Sequence, residues 1–159
     1  MNAPILICYD RSSGSRHAIE HAAALFPGAH AIVLNLWEFP LALPPYPLES
    51  GEDAQRSLAE RAANEGCELA RRAGLDAEPV IECGSVDGTW QTILSIAAQR
   101  NARVVVLGAR EVHGLRSVLL GSVSREVVRH ADRPVLVVPA GARSPEAQAP
   151  LDAARAART

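Results

Sequence analysis

Five short apolar runs, separated by segments with helical spacing, constrain the fold of this 159-residue chain more than any other feature. The runs occupy residues 5–9, 31–37, 79–83, 104–108 and 135–138. Most are continuous rather than alternating, as in strands that are covered on both faces. Because strands and helices alternate strictly, parallel strands joined by right-handed crossovers are expected. The sequence therefore predicts an α/β domain with a doubly wound, open, five-stranded parallel sheet and helices on both faces.

Four segments between the runs carry apolar residues along one helical stripe. The stripes are marked by Ala18, Ala22 and Leu25; by Leu58, Ala62, Leu69 and Ala73; by Trp90, Ile93, Leu94 and Ala97; and by Val123, Val127 and Ala131. We expect each of these stripes to pack on the sheet.

Two segments depart from the alternation of strands and helices. Residues 38–50 are rich in proline, which disfavours both regular helix and central strand, so a long surface loop is predicted there. Residues 140–159 lack the large apolar side chains that dock on a core. We therefore predict a folded domain over residues 1–139 and a flexible tail rich in alanine, proline and arginine over residues 140–159.

Composition excludes several classes of function. All 16 basic residues are arginines, so neither Schiff-base chemistry on lysine nor a P-loop lysine is available. The net charge of −2 provides no broad positive field, and we expect neither a nucleic acid nor an anionic membrane as partner. The first apolar run is too short for an export signal or a membrane span, which predicts a cytoplasmic protein. Cys8, Cys67 and Cys83 lack the paired spacing of zinc or redox motifs and are predicted to be reduced, partly buried thiols.

The loops that follow the strands are the expected place for a ligand, because ligands of open α/β sheets bind beyond the carboxyl ends of the strands. Asp10 follows the first strand and begins a turn rich in serine and glycine. Gly108 ends the fourth strand, and Gly121-Ser122-Val123-Ser124 opens the fourth helix. Peptide N–H groups at a helix start, together with the helix dipole, can bind an anion without a lysine.

The segment GAREVHGLRSVLLGSVSREVVRHADRPVLVV, which starts at Gly108, resembles the signature of the universal stress protein family. That signature is glycine, two residues, glycine, nine residues, glycine and then serine or threonine. Gly108, Gly121 and Ser122 match it, whereas Glu111 occupies the position of the second glycine. The opening ILICYDRSSGSRHAIEHA is also similar to the family's first strand, aspartate and first helix. The resemblance covers residues 4–139 and implies an adenine nucleotide alpha hydrolase-like fold with strand order 3-2-1-4-5.

The resemblance also implies a site for ATP or AMP, and it leaves open whether magnesium accompanies the phosphates. In that site Asp10 accepts hydrogen bonds from ribose or adenine, Cys8 and either Leu36 or Trp37 lie near the base, and Gly108 and Arg110 border the sugar and phosphates. The predicted site residues are Cys8, Asp10, Ser12, Leu36, Gly108, Arg110, Gly121, Ser122, Val123 and Ser124. The alternative interpretation is that Asp10 and Ser12 only cap the first helix and that Gly108 and Gly121 are turn residues.

The predicted function is therefore a regulatory, adenylate-binding protein of the stress response, with at most slow and incidental ATP hydrolysis. Glu111 supports an alternative, a dimeric stress or scaffold protein of the same fold that binds no nucleotide. A carboxylate about 5 Å from a polyphosphate repels it by about 1 kcal/mol in a water-like dielectric. Pro134 and Pro139 flank the last strand and favour an edge position, and the resemblance implies a homodimer that pairs through residues 135–138.

Two patterns suggest enzymes but lack the remaining residues of a catalytic site. His17-Ala18-Ile19-Glu20-His21 matches a zinc-protease pattern without a clear third ligand. His113 and His130 have no recognisable nucleophile paired with them in the sequence. Dedicated catalysis is therefore not expected.

Overall fold

The computed structural model of the protein describes residues 3–38, 48–84, 88–109 and 121–141. In these residues five strands alternate with four helices. The elements are β1 (Ile5–Cys8), α1 (Ser13–Leu25), β2 (His30–Glu38), α2 (Leu48–Arg72), β3 (Asp76–Gly84), α3 (Thr89–Gln99), β4 (Val104–Gly108), α4 (Ser122–His130) and β5 (Val135–Val138). No helix in the described ranges is both long and apolar enough to cross a membrane.

The five strands form one parallel sheet in the order β3-β2-β1-β4-β5, which confirms the predicted topology. The strand predicted over residues 79–83 begins earlier, at Asp76. β3 lies at an edge of the sheet, so the polar residues of its first half reach solvent and do not extend the apolar run. Pro79 is tolerated in this strand for the same reason, since an edge strand can lack one ladder donor.

The sheet divides the core into two apolar clusters, one on each face. On the face covered by α1 and α2, Ile5, Ile7, Tyr9, Val33 and Val106 are buried with small residues of the two helices. On the face covered by α3 and α4, a second cluster is buried: Leu6, Ile32, Leu34, Ile93, Val105, Leu107 and Val127. Because strand side chains alternate between faces, continuous apolar strands are what a sheet covered on both sides requires.

The helical stripes were predicted correctly for α3 and α4 and shifted for α1 and α2. Ile93, Ala97 and Val127 are buried as expected. Leu25 is 58% exposed and Leu58 is 44% exposed, and Ala73 is also exposed. Ala18, Ala22 and Ala62 are buried as predicted. Other buried residues were left out of the predicted stripes; they are Ile19 and Ala23 in α1, and Ala59, Ala63, Cys67 and Ala70 in α2. Small side chains allow these helices to lie close to the sheet, so Leu25 and Leu58 did not mark the buried stripe.

Described elements extend into both ends of the predicted loop, and Ala140, after the predicted domain boundary, is buried. β2 runs through Glu38 and α2 begins at Leu48, so both ends of the predicted 38–50 loop belong to regular elements, and residues 39–47 lie outside the described residues. Ala140 is 7% exposed, and its carbonyl lies 2.8 Å from His17 Nδ1 of α1. The packed chain thus passes the predicted boundary at residue 139, and residues 142–159 lie outside the described part.

A close backbone contact joins the start of α1 to the end of β4. A Cβ atom added at Gly14 would overlap the backbone of Ala109, and one added at Gly108 would overlap the backbone of Gly14 and Ser15. No flexible side chain can move aside to relieve either overlap. The absence of a side chain at both positions therefore sets the distance between α1 and the sheet.

Gly14→Ala and Gly108→Ala should each destabilise the protein by about 1–3 kcal/mol or more, because the added methyl group must displace the backbone. At Gly14 this cost opposes the gain of up to about 1 kcal/mol that alanine normally brings to a helix. Urea unfolding measures both changes. Gly121→Ala is the control, since a Cβ there has no neighbour within 4 Å. Wild-type stability in Gly14→Ala would show that the contact does not constrain the fold.

Candidate functional site

The carboxyl ends of β1, β2 and β4 lie at one edge of the sheet and bring most of the predicted site together. Asp10 follows β1, Leu36 lies in the last half of β2, and Gly108 ends β4. The contact of Gly108 with Gly14 and Ser15 shows that the end of β4 adjoins the turn between β1 and α1. Gly108 therefore has a packing role that does not depend on any ligand.

The turn between β1 and α1 is ordered by its own side chains. Ser12 is the N-cap of α1, and its Oγ accepts a hydrogen bond from Ser15 N over 3.1 Å. Asp10 Oδ1 accepts bonds from Ser12 N, over 3.0 Å, and from the Ser12 hydroxyl. Ser12 is thus confirmed as a cap of α1, whereas Asp10 holds Ser12 in place.

The N-terminus of α4 has the features of an anion site. Gly121 is its N-cap and supplies no capping side chain, and the first turn contains no acidic residue. The first backbone bond of the helix runs from Arg125 N to Gly121 O over 3.0 Å, so the N–H groups of residues 122–124 have no acceptor within the helix. Ser122 is exposed, whereas Ser124 is 7% exposed.

Apolar residues near both parts of the site pack against the same core cluster. Cys8, Leu36 and Val123 are partly buried against the cluster between the sheet and α3/α4, together with Trp90. The sequence left Leu36 and Trp37 as alternatives beside the base. Strand alternation places only Leu36 on this face, since Trp37 is its immediate neighbour in β2.

The Cys8 thiol is held in its neutral form. Burial raises its pKa to about 12, and the negative charge of Asp10 acts in the same direction. A thiol with so high a pKa is a weak nucleophile at neutral pH. Cys8 therefore contributes apolar surface rather than reactivity. Cys67 is buried and Cys83 is exposed, so the expectation of partly buried thiols is wrong for Cys83.

Part of the predicted site lies outside the described residues. This applies to Arg110, to Glu111 at the variant position of the glycine signature, and to His113. An open groove of about 340 Å³ between β3 and α3 is a separate feature, lined by Glu82, Cys83 and residues of α3. No predicted site residue lines that groove.

Sequence reasoning missed a charged cluster behind the turn, here called the Glu65 cluster and composed of Tyr9, Arg11, Arg16 and Glu65. Glu65 Oε1 of α2 accepts a hydrogen bond from the Tyr9 hydroxyl, at 2.7 Å, and from Arg16, at 2.9 Å. Glu65 Oε2 lies 2.9 Å from Arg11 Nε. Tyr9 and Glu65 are 56 residues apart in the sequence, and no local pattern relates them.

The contacts of the cluster shift the pKa of both ends of its central hydrogen bond. The bond from Tyr9, followed by the charges of Arg11 and Arg16 working against partial burial, lowers the pKa of Glu65. Burial, followed by the bond to Glu65 and its charge, raises the pKa of Tyr9 to about 12. At neutral pH the cluster thus contains an ionised carboxylate and a neutral phenol.

The zinc interpretation of His17 and His21 gains no third ligand from the described residues. Within them, no group of three histidine, cysteine or acidic side chains is placed to hold a metal ion. His17 Nδ1 faces the Ala140 carbonyl and acts as a donor to it, which ties α1 to the chain after β5.

The raised pKa of Tyr9 predicts a loss of stability in alkali. The neutral phenol stabilises the fold fully below the ordinary tyrosine pKa of about 10, and this contribution disappears as the pH rises through about 12. The free energy of unfolding, measured in urea from pH 8 to pH 11.5, should therefore fall less steeply above pH 10 in Tyr9→Phe than in the wild type. Tyr46→Phe, which removes the other tyrosine, is the matched control. An unchanged slope in Tyr9→Phe would contradict the assignment.

Comparison with known proteins agrees with this architecture. The family model described as "Universal stress protein family" matches residues 1–139. A universal stress protein of Thermus aquaticus is 31% identical over 137 residues, which is 84% of this chain and 96% of that protein.

Two solved structures share the fold, each at 22% identity. The universal stress protein from Archaeoglobus fulgidus in complex with dAMP has a TM-score of 0.64 and aligns over 86% of this chain and 98% of its own. A universal stress protein in complex with cAMP has a TM-score of 0.56 with the same coverage. The sheet order, the glycine signature and the match of the family model lead to one conclusion: this chain belongs to the universal stress protein family.

Proposed function

We propose that the protein is a regulatory member of the family that binds an adenine nucleotide, ATP or AMP, at the carboxyl edge of its sheet. One observation carries the proposal. The Asp10 turn, the apolar surface of Cys8 and Leu36, and the N-terminus of α4 lie along the same edge of the fold. The two structural neighbours solved with dAMP and cAMP support an adenylate as the ligand.

Each part of the edge suits one part of the nucleotide. The Asp10 carboxylate is an acceptor for the hydroxyls of ribose or the amino group of adenine. Cys8 and Leu36 give the base an apolar surface, and Val123 continues that surface towards α4. The N–H groups of residues 122–124 and the Ser122 hydroxyl are donors for a phosphate, and the dipole of α4 favours its charge.

Gly121 leaves room for the phosphate. A Cβ atom at this position would meet no atom of the described residues within 4 Å, so they leave the backbone open on that side. Its φ of −56° is accessible to any residue, and glycine serves here through the close approach it allows. We place Arg110 beside the phosphates as an additional cation, and any magnesium ion would be bound through those same phosphates.

Binding rather than turnover is the proposed activity. Among the described residues, no group of three histidine, cysteine or acidic side chains is placed to hold a metal ion for hydrolysis. We also propose a cytoplasmic site of action, which suits the free thiols Cys8, Cys67 and Cys83. The alternative, a family member that has lost nucleotide binding, rests on the negative charge of Glu111 at a signature glycine position.

Calorimetric titration with ATP and AMP, together with analysis of the nucleotide that co-purifies, tests the proposed function. We expect binding by the wild type. Asp10→Asn keeps an acceptor for the Ser12 cap but loses the charge, and it should weaken binding by about tenfold, as for a hydrogen bond to a charged group. Ser122→Ala should weaken binding by about two- to tenfold. Ser57→Ala, on the exposed part of α2, is the control.

Glu111→Gly separates the two candidate functions. If the wild type binds nucleotide, this substitution should strengthen binding several-fold by removing about 1 kcal/mol of repulsion. If the wild type carries no nucleotide and fails to bind ATP and AMP while Glu111→Gly binds them, the non-binding alternative is correct.

We further propose a homodimer that pairs through β5. Val105 N of β4 and Ala109 N, directly after β4, donate to the carbonyls of Pro134 and Val138, over 3.0 and 2.8 Å. In a parallel ladder the backbone groups of the alternate residues, Val135 and Val137, then point away from β4 towards the open edge. All three residues of β5 before Val138 are only half-buried. A second copy that pairs here would satisfy the edge and cover its apolar side chains.

Val137→Pro should convert this dimer to a monomer, because proline removes an outward-pointing donor without removing a bond to β4. Val137→Ala retains the N–H group and should remain dimeric. Sedimentation velocity of the two variants at matched concentrations distinguishes the outcomes. A dimeric Val137→Pro, or a monomeric wild type, would exclude pairing through β5.

A further inference from the structure

Glu65 lies on α2, outside the turn that carries Asp10, yet it contacts the residues on both sides of Asp10. We propose that Glu65 is a positioning residue for the nucleoside end of the site: by holding Tyr9 and Arg11, it fixes the orientation of the Asp10 carboxylate. This inference rests on the proposed function, since it concerns affinity for the same nucleotide.

The two oxygens of Glu65 hold different parts of the turn. Oε1 accepts from the Tyr9 hydroxyl at 2.7 Å and from Arg16 of α1 at 2.9 Å. Oε2 contacts Arg11 Nε at 2.9 Å. One carboxylate thus contacts Tyr9 directly after β1, Arg11 in the turn between β1 and α1, and Arg16 near the start of α1. Asp10 lies between two residues that are both held from the side of α2.

Tyr9 gives this arrangement a rigid base. Its side chain is 1% exposed, within the cluster between the sheet and α1/α2. Gly66, the neighbour of Glu65, allows α2 to approach the ring, since a Cβ there would lie 2.7 Å from Tyr9 Cδ1. The position of the Glu65 carboxylate is therefore set by packing of α2 on Tyr9, before any contact with Arg11 is made.

Arg11 is the part of the turn that needs an external contact. Its φ is +66°, in the left-handed region that residues with a Cβ rarely adopt. Such a conformation persists only where surrounding contacts compensate for it. The ion pair with Glu65 is a contact of this kind, and it joins the strained residue to the packed core.

The strain at Arg11 has a consequence for the ligand. A turn that relaxes at residue 11 rotates the adjacent peptide and moves the carboxylate of residue 10. Asp10 Oδ1 would then lose its alignment with Ser12 N, now 3.0 Å away, and the free protein would populate several orientations of the carboxylate. The apparent affinity for the nucleotide is the intrinsic affinity multiplied by the fraction of molecules in the binding-competent state, so it falls as that fraction falls.

Glu65→Ala tests the inference, with Glu68→Ala as the matched control. Glu68 lies on the same helix and pairs with Arg71 at 3.1 Å, away from the turn. The probe is whichever of ATP or AMP the wild type binds more tightly, measured by calorimetry. Glu65→Ala should weaken binding by roughly five- to thirtyfold, the factor expected for release of a left-handed residue. Glu68→Ala should bind as the wild type does. Equal affinity of Glu65→Ala and wild type would overturn the inference and leave the proposed function intact, whereas absence of binding by the wild type overturns both.

A double-mutant cycle with Arg11→Gly separates positioning from a general loss of stability. Glycine adopts a positive φ without the ion pair, so Glu65→Ala should cost less than about threefold in the Arg11→Gly background. An undiminished cost in that background would contradict the proposed role of Arg11. Should Glu65→Ala fold poorly, Glu65→Gln, which keeps an acceptor for the Tyr9 hydroxyl, replaces it in the cycle.

Hydrogen exchange gives a readout without ligand. The amides of Ser12 and Ser15 should exchange faster in Glu65→Ala than in the wild type, while those of β4 remain unchanged. Equal exchange at Ser12 and Ser15 in the two proteins would show that Glu65 does not order the turn.

Discussion

The close contact between the start of α1 and the end of β4 is the constraint on which the candidate site depends. Gly14 and Gly108 face each other without side chains, and backbone atoms occupy the space that a Cβ would need. This contact brings the turn after β1 against β4. Asp10 and Gly108, about 100 residues apart in the sequence, consequently share one edge of the sheet.

The second constraint comes from α2, which covers the same face of the sheet as α1. Tyr9 is buried under α2, and the Glu65 carboxylate joins its hydroxyl to Arg11 and Arg16. The exposed ion pairs of this cluster would each contribute little in isolation. Because they are anchored to the buried Tyr9 phenol, these ion pairs have a fixed geometry. The backbone of Arg11 is strained, so that geometry affects the conformation of the turn.

The sequence predicted the strands better than it predicted which residues of the first two helices face the sheet. Runs such as VVVL and VLVV are typical of strands in a sheet covered on both faces. β4 and β5 begin and end where they were predicted. In α1 and α2 the predicted stripes included Leu25 and Leu58, which are exposed, and left out several buried alanines, because alanine carries little hydrophobic signal even where it makes the closest contact. The polar start of β3 was missed because an edge strand need not be apolar.

In the candidate site, too, the sequence predicted some features and missed others. The turn chemistry of Asp10 and Ser12 is local in the sequence, and the structure confirms the predicted cap of α1. Leu36 was distinguished from Trp37 only by the structure, which shows which face of β2 packs against the cluster under α3 and α4. Glu65 was missed because its partners lie on other elements, and the contact of Gly108 with Gly14 was missed because it cannot be read from spacing.

The sequence by itself determined the order of elements, the parallel sheet and the family signature, since periodicity, turn residues and motif spacing are properties of neighbouring residues. The tertiary structure decided which face each helix buries, which of two adjacent side chains faces the site, and which distant carboxylate supports the turn. These choices depend on how closely backbones approach one another, and that distance is set by small residues whose contacts become apparent only when the chain is packed.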